Sequence, residues 1–171
     1  MRKVAWCWVL GAGLILITSC SQGKKEYVIG IGERIHHGNF EYSASDIIIT
    51  RFLKNGRDTL YAEGMFYLVK FKVENNSKRT GHEWDNSIAY IIDDRSGSFQ
   101  NMPDVQKFYE KSKPFGLKER YITAPGTADS TYLAFDLPFS VTIPFLKVKG
   151  KFLMRDVFDG ALFRRVRVKL Y

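Results

Sequence analysis

The chain has 171 residues, 45% hydrophobic and 26% charged, and its 26 Lys and Arg against 18 Asp and Glu give a net charge of +8 at pH 7. This composition is ordinary for a globular protein and excludes a disordered or collagen-like chain, while the length suits one domain with a short extension. Aromatic residues make up 15% of the chain, which favours pleated sheets. A single long apolar run, at the N-terminus, excludes a protein with several membrane spans.

The first 19 residues are typical of a lipoprotein signal peptide. Arg2 and Lys3 precede an uncharged stretch, residues 4–17, which has the length of a signal-peptide core and is short for a bilayer span. The stretch ends in Ile17-Thr18-Ser19-Cys20, which resembles the bacterial lipobox, where the cysteine thiol accepts a diacylglycerol. The alternatives are an ordinary secretory signal and an uncleaved membrane anchor.

Cleavage before Cys20 removes 19 residues with two cations and leaves a chain of 152 residues with a net charge of +6. Cys7 leaves with the leader, so the domain has no thiol for a disulfide, a zinc site or a nucleophile. We expect a lipidated tether at 20–25 and a folded domain at 26–171. Ser21, rather than Asp, follows the cysteine, which resembles the sorting of Gram-negative lipoproteins to the outer membrane of the cell envelope.

Strands dominate the domain, because apolar and polar residues alternate with a period of two. After Phe40 the alternation changes phase near Asp46, which predicts a β-bulge. Asn55-Gly56 predicts a hairpin turn, and the strongest strand is predicted at 66–73. Further strands are predicted at 88–92, 132–137, 145–151 and 164–170, and the one helix is predicted at 103–112 with Pro103 in its first turn. Seven to nine short strands indicate an all-β sandwich.

The order of six segments carries a family resemblance. They are Gly32-Glu33-Arg34-Ile35, Phe40-Glu41-Tyr42, Tyr67-Leu68-Val69-Lys70-Phe71-Lys72-Val73-Glu74-Asn75-Asn76-Ser77, Ile91-Ile92-Asp93-Asp94-Arg95-Ser96-Gly97, Ala124-Pro125-Gly126-Thr127 and Tyr132-Leu133-Ala134-Phe135-Asp136-Leu137-Pro138. The pattern resembles the immunoprotective extracellular antigen superfamily, which includes many bacterial lipoproteins of unknown function. The resemblance spans about residues 30–149 and implies an immunoglobulin-like antiparallel β-sandwich with no catalytic residues to transfer. An insert at 100–118 and a tail at 150–171 lie outside the family pattern.

Three histidines are the candidates for a metal site. His36 and His37 are adjacent, and His82 precedes Glu83 in another predicted loop. Adjacent residues on a strand point to opposite faces, so such a pair rarely chelates one ion. A small metal-dependent envelope hydrolase using His36, His37 and His82 is therefore the alternative function.

Acidic pairs offer a second route to catalysis. Asp93-Asp94 and the pair Asp156 and Asp159 resemble the paired carboxylates of glycosidic chemistry, but both motifs are more simply turns. No cofactor is expected, and no motif indicates a catalytic residue.

Two basic rows are the candidate binding surface. Lys147 and Lys149 alternate with apolar residues in one predicted strand, and Arg165, Arg167 and Lys169 do so in another. If the intervening valines face the core, the cations share one outer face, which would attract anionic lipid or glycan. The alternative is a solvated face whose charges protect a sheet edge.

Trp84, in the longest polar loop, is a further candidate, either as a binding anchor or as a plug on the end of the sandwich. Together these features predict a non-enzymatic, lipid-anchored binding module of the cell envelope. Its expected partners are the membrane and another envelope protein, anionic lipid or glycan, and not nucleic acid, because the location is outside the cytoplasm. A structural spacer is a third possibility.

The lipid anchor is testable by replacing one residue, the cysteine that would carry the lipid. Cys20→Ala should release the protein from membranes or leave an unprocessed precursor, because the acyl chains are its strong membrane attachment. Labelling cells with a clickable palmitate should mark the wild type and not the variant. An unlabelled wild type would show that Cys20 is not acylated.

Overall fold

The structure, a computed structural model, describes residues 26–95, 97–110, 121–149 and 166–171. In these ranges it has eleven strands and one helix, so it has more strands than the seven to nine that the sequence predicts. The strands are β1 (Tyr27–Ile29), β2 (Arg34–His37), β3 (Phe40–Asn55), β4 (Asp58–Asn75), β5 (His82–Glu83), β6 (Ala89–Ile92), β7 (Ser98–Gln100), β8 (Ile122–Thr123), β9 (Ala128–Leu137), β10 (Phe145–Val148) and β11 (Val166–Lys169), and the helix is α1 (Pro103–Tyr109).

Two sheets make the sandwich. One has the order β1-β11-β10-β6-β7 and the other has the order β2-β3-β4-β9, while β5 and β8 form a small third sheet. The described strands pair antiparallel, with the exception of β1, which runs parallel to β11. This arrangement confirms the predicted immunoglobulin-like β-sandwich with one short helix.

Strands β3 and β4 form a long ribbon. They have 16 and 18 residues, well beyond the short strands that the sequence predicts. The predicted turn joins them, and Gly56 has the positive φ of 64° that such a turn requires. The predicted bulge is confirmed by a register shift between Ala44 and Asp46. On its other edge β4 pairs with β9 only as far as Met65, so the ribbon continues past the end of β9.

Strand β4 has a core on each face. On the inner face, five residues of the two sheets are at most 1% exposed and belong to one cluster, namely Val69, Phe71, Ile91, Leu133 and Phe135. On the outer face, Phe66 and Leu68 pack with Val105 of α1 in a smaller second core.

Helix α1 begins at the predicted Pro103 and ends at Tyr109, three residues earlier than predicted. Much of the predicted insert lies outside the described residues. Among the helices that the structure describes, none has both the length and the apolar character needed to span a bilayer.

The turns are held by side chains next to them. Asp93 Oδ1 accepts hydrogen bonds from the backbone N–H groups of Arg95 at 3.2 Å and Gly97 at 2.6 Å. Asp93 therefore organises a turn, which agrees with the simpler interpretation of the Asp93-Asp94 pair. Asp156 and Asp159 lie outside the described residues.

Phe71 and Phe52 give a matched test of the core. Phe71 is fully buried, whereas Phe52 is 45% exposed on the same ribbon. Phe71→Ala should lower the free energy of unfolding by about 3–5 kcal/mol through lost burial and the cavity left behind, and Phe52→Ala should cost much less. Thermal melts of both variants measure this difference, and equal shifts would contradict the strand register.

Candidate functional site

The basic rows lie on the face that the sequence predicts, but two of their cations pair with an acidic side chain. Val148 and Val168 are buried, so Lys147 and Arg167 lie on the outer face of their sheet. However, Lys147 Nζ lies 3.4 Å from Glu26 Oε1, and Arg167 forms an ion pair with the other carboxylate oxygen. The two cationic side chains are only 17% and 26% exposed. The shared outer face is as predicted, but these two cations are not open to an anionic ligand, because both contact the carboxylate of Glu26.

The remaining cations of the rows are dispersed. Lys149 is exposed, with its Nζ 3.5 Å from Ser87 Oγ. Lys169 is also exposed, and its Nζ lies 4.2 Å from the centroid of the Tyr171 ring. Arg165 lies outside the described residues. The described part of this face thus offers two exposed cations rather than a continuous basic surface.

The three histidines do not converge. His36 is exposed, with Nδ1 3.6 Å from Glu41 Oε1, whereas His37 is 2% exposed on the opposite face of β2, as strand geometry predicts. His82 is buried, and its Nε2 lies 2.9 Å from the hydroxyl of Tyr42. Burial raises the pKa of Tyr42 well above its ordinary value, so this hydroxyl is protonated at neutral pH. Among the described residues, no group of three His, Cys, Asp or Glu is placed to hold a metal ion.

Trp84 is a core residue. It is 4% exposed, and its Nε1 donates a hydrogen bond to Thr123 Oγ1 at 2.7 Å. Its ring packs edge-to-face with that of Phe71, with the ring centroids 6.0 Å apart. The expectation of a surface binding anchor at Trp84 is therefore wrong. The residue closes the sandwich from inside, which is the alternative that the sequence also allowed.

The described surface has an apolar groove, which we call the ribbon groove. It has a volume of about 610 Å³ and lies where the ribbon, β7, the start of α1 and the end of β9 meet. It is lined by Leu60, Tyr61, Glu63, Gly64, Phe66, Phe99, Met102, Val105, Asp136, Pro138 and Phe139. Phe66 and Val105 are buried and form its floor, whereas the wall residues Tyr61 and Phe139 are 71% and 60% exposed.

A close backbone contact shapes the groove. Gly64 allows β4 to approach the end of β9, because a Cβ at this position would collide with the carbonyl oxygen of Leu137. The carboxylate of Asp136 accepts hydrogen bonds from the backbone N–H groups of Glu63 at 2.7 Å and Gly64 at 3.0 Å. Asp136 thereby fixes the ribbon at the point where it leaves the sheet.

The outer edge of β9 is covered only in part. The N–H of Ala134 donates to Asn101 Oδ1 at 2.9 Å, and its carbonyl oxygen accepts from the N–H of Met102 at 2.8 Å. The N–H of Tyr132 donates to Glu110 Oε2 at 2.9 Å. Asp136 comes two residues after Ala134 and lies beside the groove, past these covering bonds.

The charges at the groove are carboxylates. Among its lining residues the charged side chains are those of Glu63 and Asp136, and none is Lys or Arg. Arg51 lies beside one wall of the groove, with its guanidinium 5.1 Å from the centroid of the Phe139 ring. The groove is therefore apolar with a small negative charge.

The sequence analysis missed this site. Its lining residues lie in three stretches, 60–66, 99–105 and 136–139, that are distant along the chain. The available signal was the aromatic pair Phe52 and Tyr61, which face each other across the ribbon with ring centroids 6.2 Å apart and are both exposed. Exposed aromatic residues on a two-stranded ribbon are a local sign of a contact surface.

No family model matches this sequence, and no curated protein matches it. Solved structures share its fold. The yjhA protein from Bacillus subtilis superposes with a TM-score of 0.54 at 12% identity, covering 83% of this chain and 98% of that one. A conserved hypothetical protein from Bacillus anthracis has a TM-score of 0.53 at 13% identity over 75% and 93% of the two chains. An uncharacterized beta-sandwich protein from Clostridium difficile has a TM-score of 0.53 at 13% identity over 86% and 96%. These likenesses concern the fold.

Asp136 and Glu63 test how the groove is built. Asp136→Ala should lower the free energy of unfolding by about 1–3 kcal/mol, because two backbone N–H groups lose their acceptor. Glu63→Ala removes an exposed carboxylate and should change stability by no more than about 0.5 kcal/mol. Urea denaturation compares the two variants. Equal stability would show that the carboxylate of Asp136 does not hold the ribbon.

Proposed function

We propose that this protein is a non-enzymatic binding module of the cell envelope, anchored through lipid on Cys20. The module binds a partner in the ribbon groove. The observation that carries the proposal is the groove itself, in which the walls Tyr61 and Phe139 are more than half exposed above a buried apolar floor. Large exposed apolar patches in a concave surface are characteristic of binding sites.

The position of the groove suits an anchored protein. Strands β1 and β7 are the two edges of the five-stranded sheet, and Phe99 of β7 lines the groove. At about 4.8 Å per strand, β1 is roughly 19 Å across the sheet from β7. A tether at 20–25 therefore joins the domain on the far side from the groove, which leaves the groove open to a partner while the lipid is in the membrane.

The groove is a better candidate than the basic face. Lys147 and Arg167 are engaged by Glu26, which weakens the attraction of that face for an anionic lipid or glycan. The alternative hydrolase has no support from the histidine geometry, because His36 and His37 lie on opposite faces of β2.

The same proposal includes an outer-membrane location and membership of the immunoprotective extracellular antigen superfamily. The lipobox at Ile17–Cys20 supports the anchor, and Ser21 supports the outer membrane. The β-sandwich fold agrees with the family resemblance at the level of architecture.

A photo-crosslinker placed in the groove tests the binding function. We would replace Tyr61 with p-benzoylphenylalanine in the full chain in living cells, with the same replacement of Tyr171 as the control. Both tyrosines are well exposed, at 71% and 59%, but only Tyr61 lines the groove. A discrete adduct is expected from position 61 alone, and Phe139→Ser should abolish it. Adducts of equal yield at both positions, or an adduct that Phe139→Ser leaves unchanged, would contradict the proposal.

A further inference from the structure

We infer that the ribbon groove recognises an extended polypeptide segment in which Lys or Arg lies two residues from a large apolar side chain, on the same face of the segment. This inference rests on the proposed function and specifies the chemistry of the partner. It follows from three independent features of the groove, which are its floor, its charge and the strand edge beside it.

The floor selects an apolar side chain. Phe66 and Val105 are 1% and 4% exposed at the bottom of the groove, and Phe99 is partly buried beside them. A volume of about 610 Å³ lies within the usual range for sites that enclose small ligands. A large apolar side chain seated between the exposed walls Tyr61 and Phe139 would remove apolar surface from water on both partners.

The charge selects a cation. The charged lining residues are Glu63 and Asp136, and neither forms an ion pair with a described residue. Asp136 binds two backbone N–H groups, which leaves its negative charge in place. An anionic ligand would be repelled at this point, whereas a Lys or Arg at the rim would meet Glu63 in solvent. The exposed aromatic face of Tyr61 suits a cation as well.

The strand edge selects a polypeptide. On β9 the N–H groups of Tyr132 and Ala134 point away from β4 and are bonded to Glu110 and Asn101. Alternation in an antiparallel pair directs the N–H of Asp136 to the same side, beyond the last covering bond. A carbonyl oxygen of an extended segment in the groove can accept a hydrogen bond from the backbone N–H of Asp136. The segment would then pair with the outer edge of β9 over one or two residues, as in strand addition. A lipid acyl chain or a glycan does not use a peptide edge in this way.

Three blocked, dye-labelled peptides test the inference. They are Lys-Val-Phe-Val-Lys, the charge-reversed Glu-Val-Phe-Val-Glu, and Lys-Val-Ser-Val-Lys, which lacks the apolar anchor. The full chain is held in phosphatidylcholine nanodiscs, empty nanodiscs provide the blank, and fluorescence anisotropy reports binding. The first peptide should bind at least about tenfold more tightly than either of the others.

Three variants separate the effect of the charge from an effect on folding. Glu63→Gln should weaken binding of the first peptide roughly fivefold, as expected for one exposed charge pair. Asp94→Asn, at an exposed acid away from the groove, should leave binding unchanged. Phe139→Ser should weaken all binding. Melting temperatures of the three variants should match the wild type, which excludes unfolding as the cause.

The inference would be overturned if the charge-reversed peptide bound as tightly as the first peptide. It would also be overturned if the first peptide did not bind at about 1 mM. The crosslinking experiment at position 61 separates this failure from failure of the proposed function. An adduct that proves to be lipid or glycan would leave the groove as a binding site and reject the polypeptide partner. Loss of the adduct altogether would reject both.

Discussion

The middle of strand β4 is buried on both faces, and the rest of the molecule is arranged around that constraint. Phe71 on one face and Leu68 on the other are both fully buried. The edges of the strand are paired to β3 and to β9 over the same stretch. A strand covered on four sides needs two cores, and the second core is available only because α1 packs outside the sheet. The helix, which is only seven residues long, is therefore structural and covers what a single sandwich would leave exposed.

The ribbon groove follows from how α1 is attached. The segment leading into the helix is bonded to β9 through Asn101 and Met102, and this attachment stops at Ala134. The ribbon of β3 and β4 continues past Leu137, where β9 ends. Beyond that point one face of the ribbon still packs on α1 through Leu53, while no strand among the described residues pairs with the outer edge of β4. The groove is the step between a covered sheet and an uncovered ribbon, and its exposed aromatic residues are a consequence of that step.

The predictions that the structure confirms depend on local rules. The phase change at Asp46 appears as a register shift, and the Asp93 turn closes on its own backbone N–H groups, because both effects act over a few residues. Trp84 shows where local rules end, since its loop is polar and its partner Thr123 is 39 residues later. The ribbon groove is the same case on a larger scale, because its walls come from three distant stretches. A residue's parity can be read from its neighbours in sequence, but its partners depend on the order of strands.

Glu26 gives two of the cations a structural role, because it pairs with both Lys147 and Arg167. Parity correctly placed Lys147 and Arg167 on one outer face, but no local pattern predicts that Glu26 lies between them. The parallel pairing of β1 with β11 does so, since Tyr27 stands opposite Val166 and Glu26 precedes it. One carboxylate then offsets the repulsion of two neighbouring cations, and the pairs remain about a quarter exposed, so each is worth about 1 kcal/mol at most. Their main consequence is positional. They attach the first described residue to the sheet edge, so a lipid-bearing tether before it would leave from a fixed place, across the sheet from the groove.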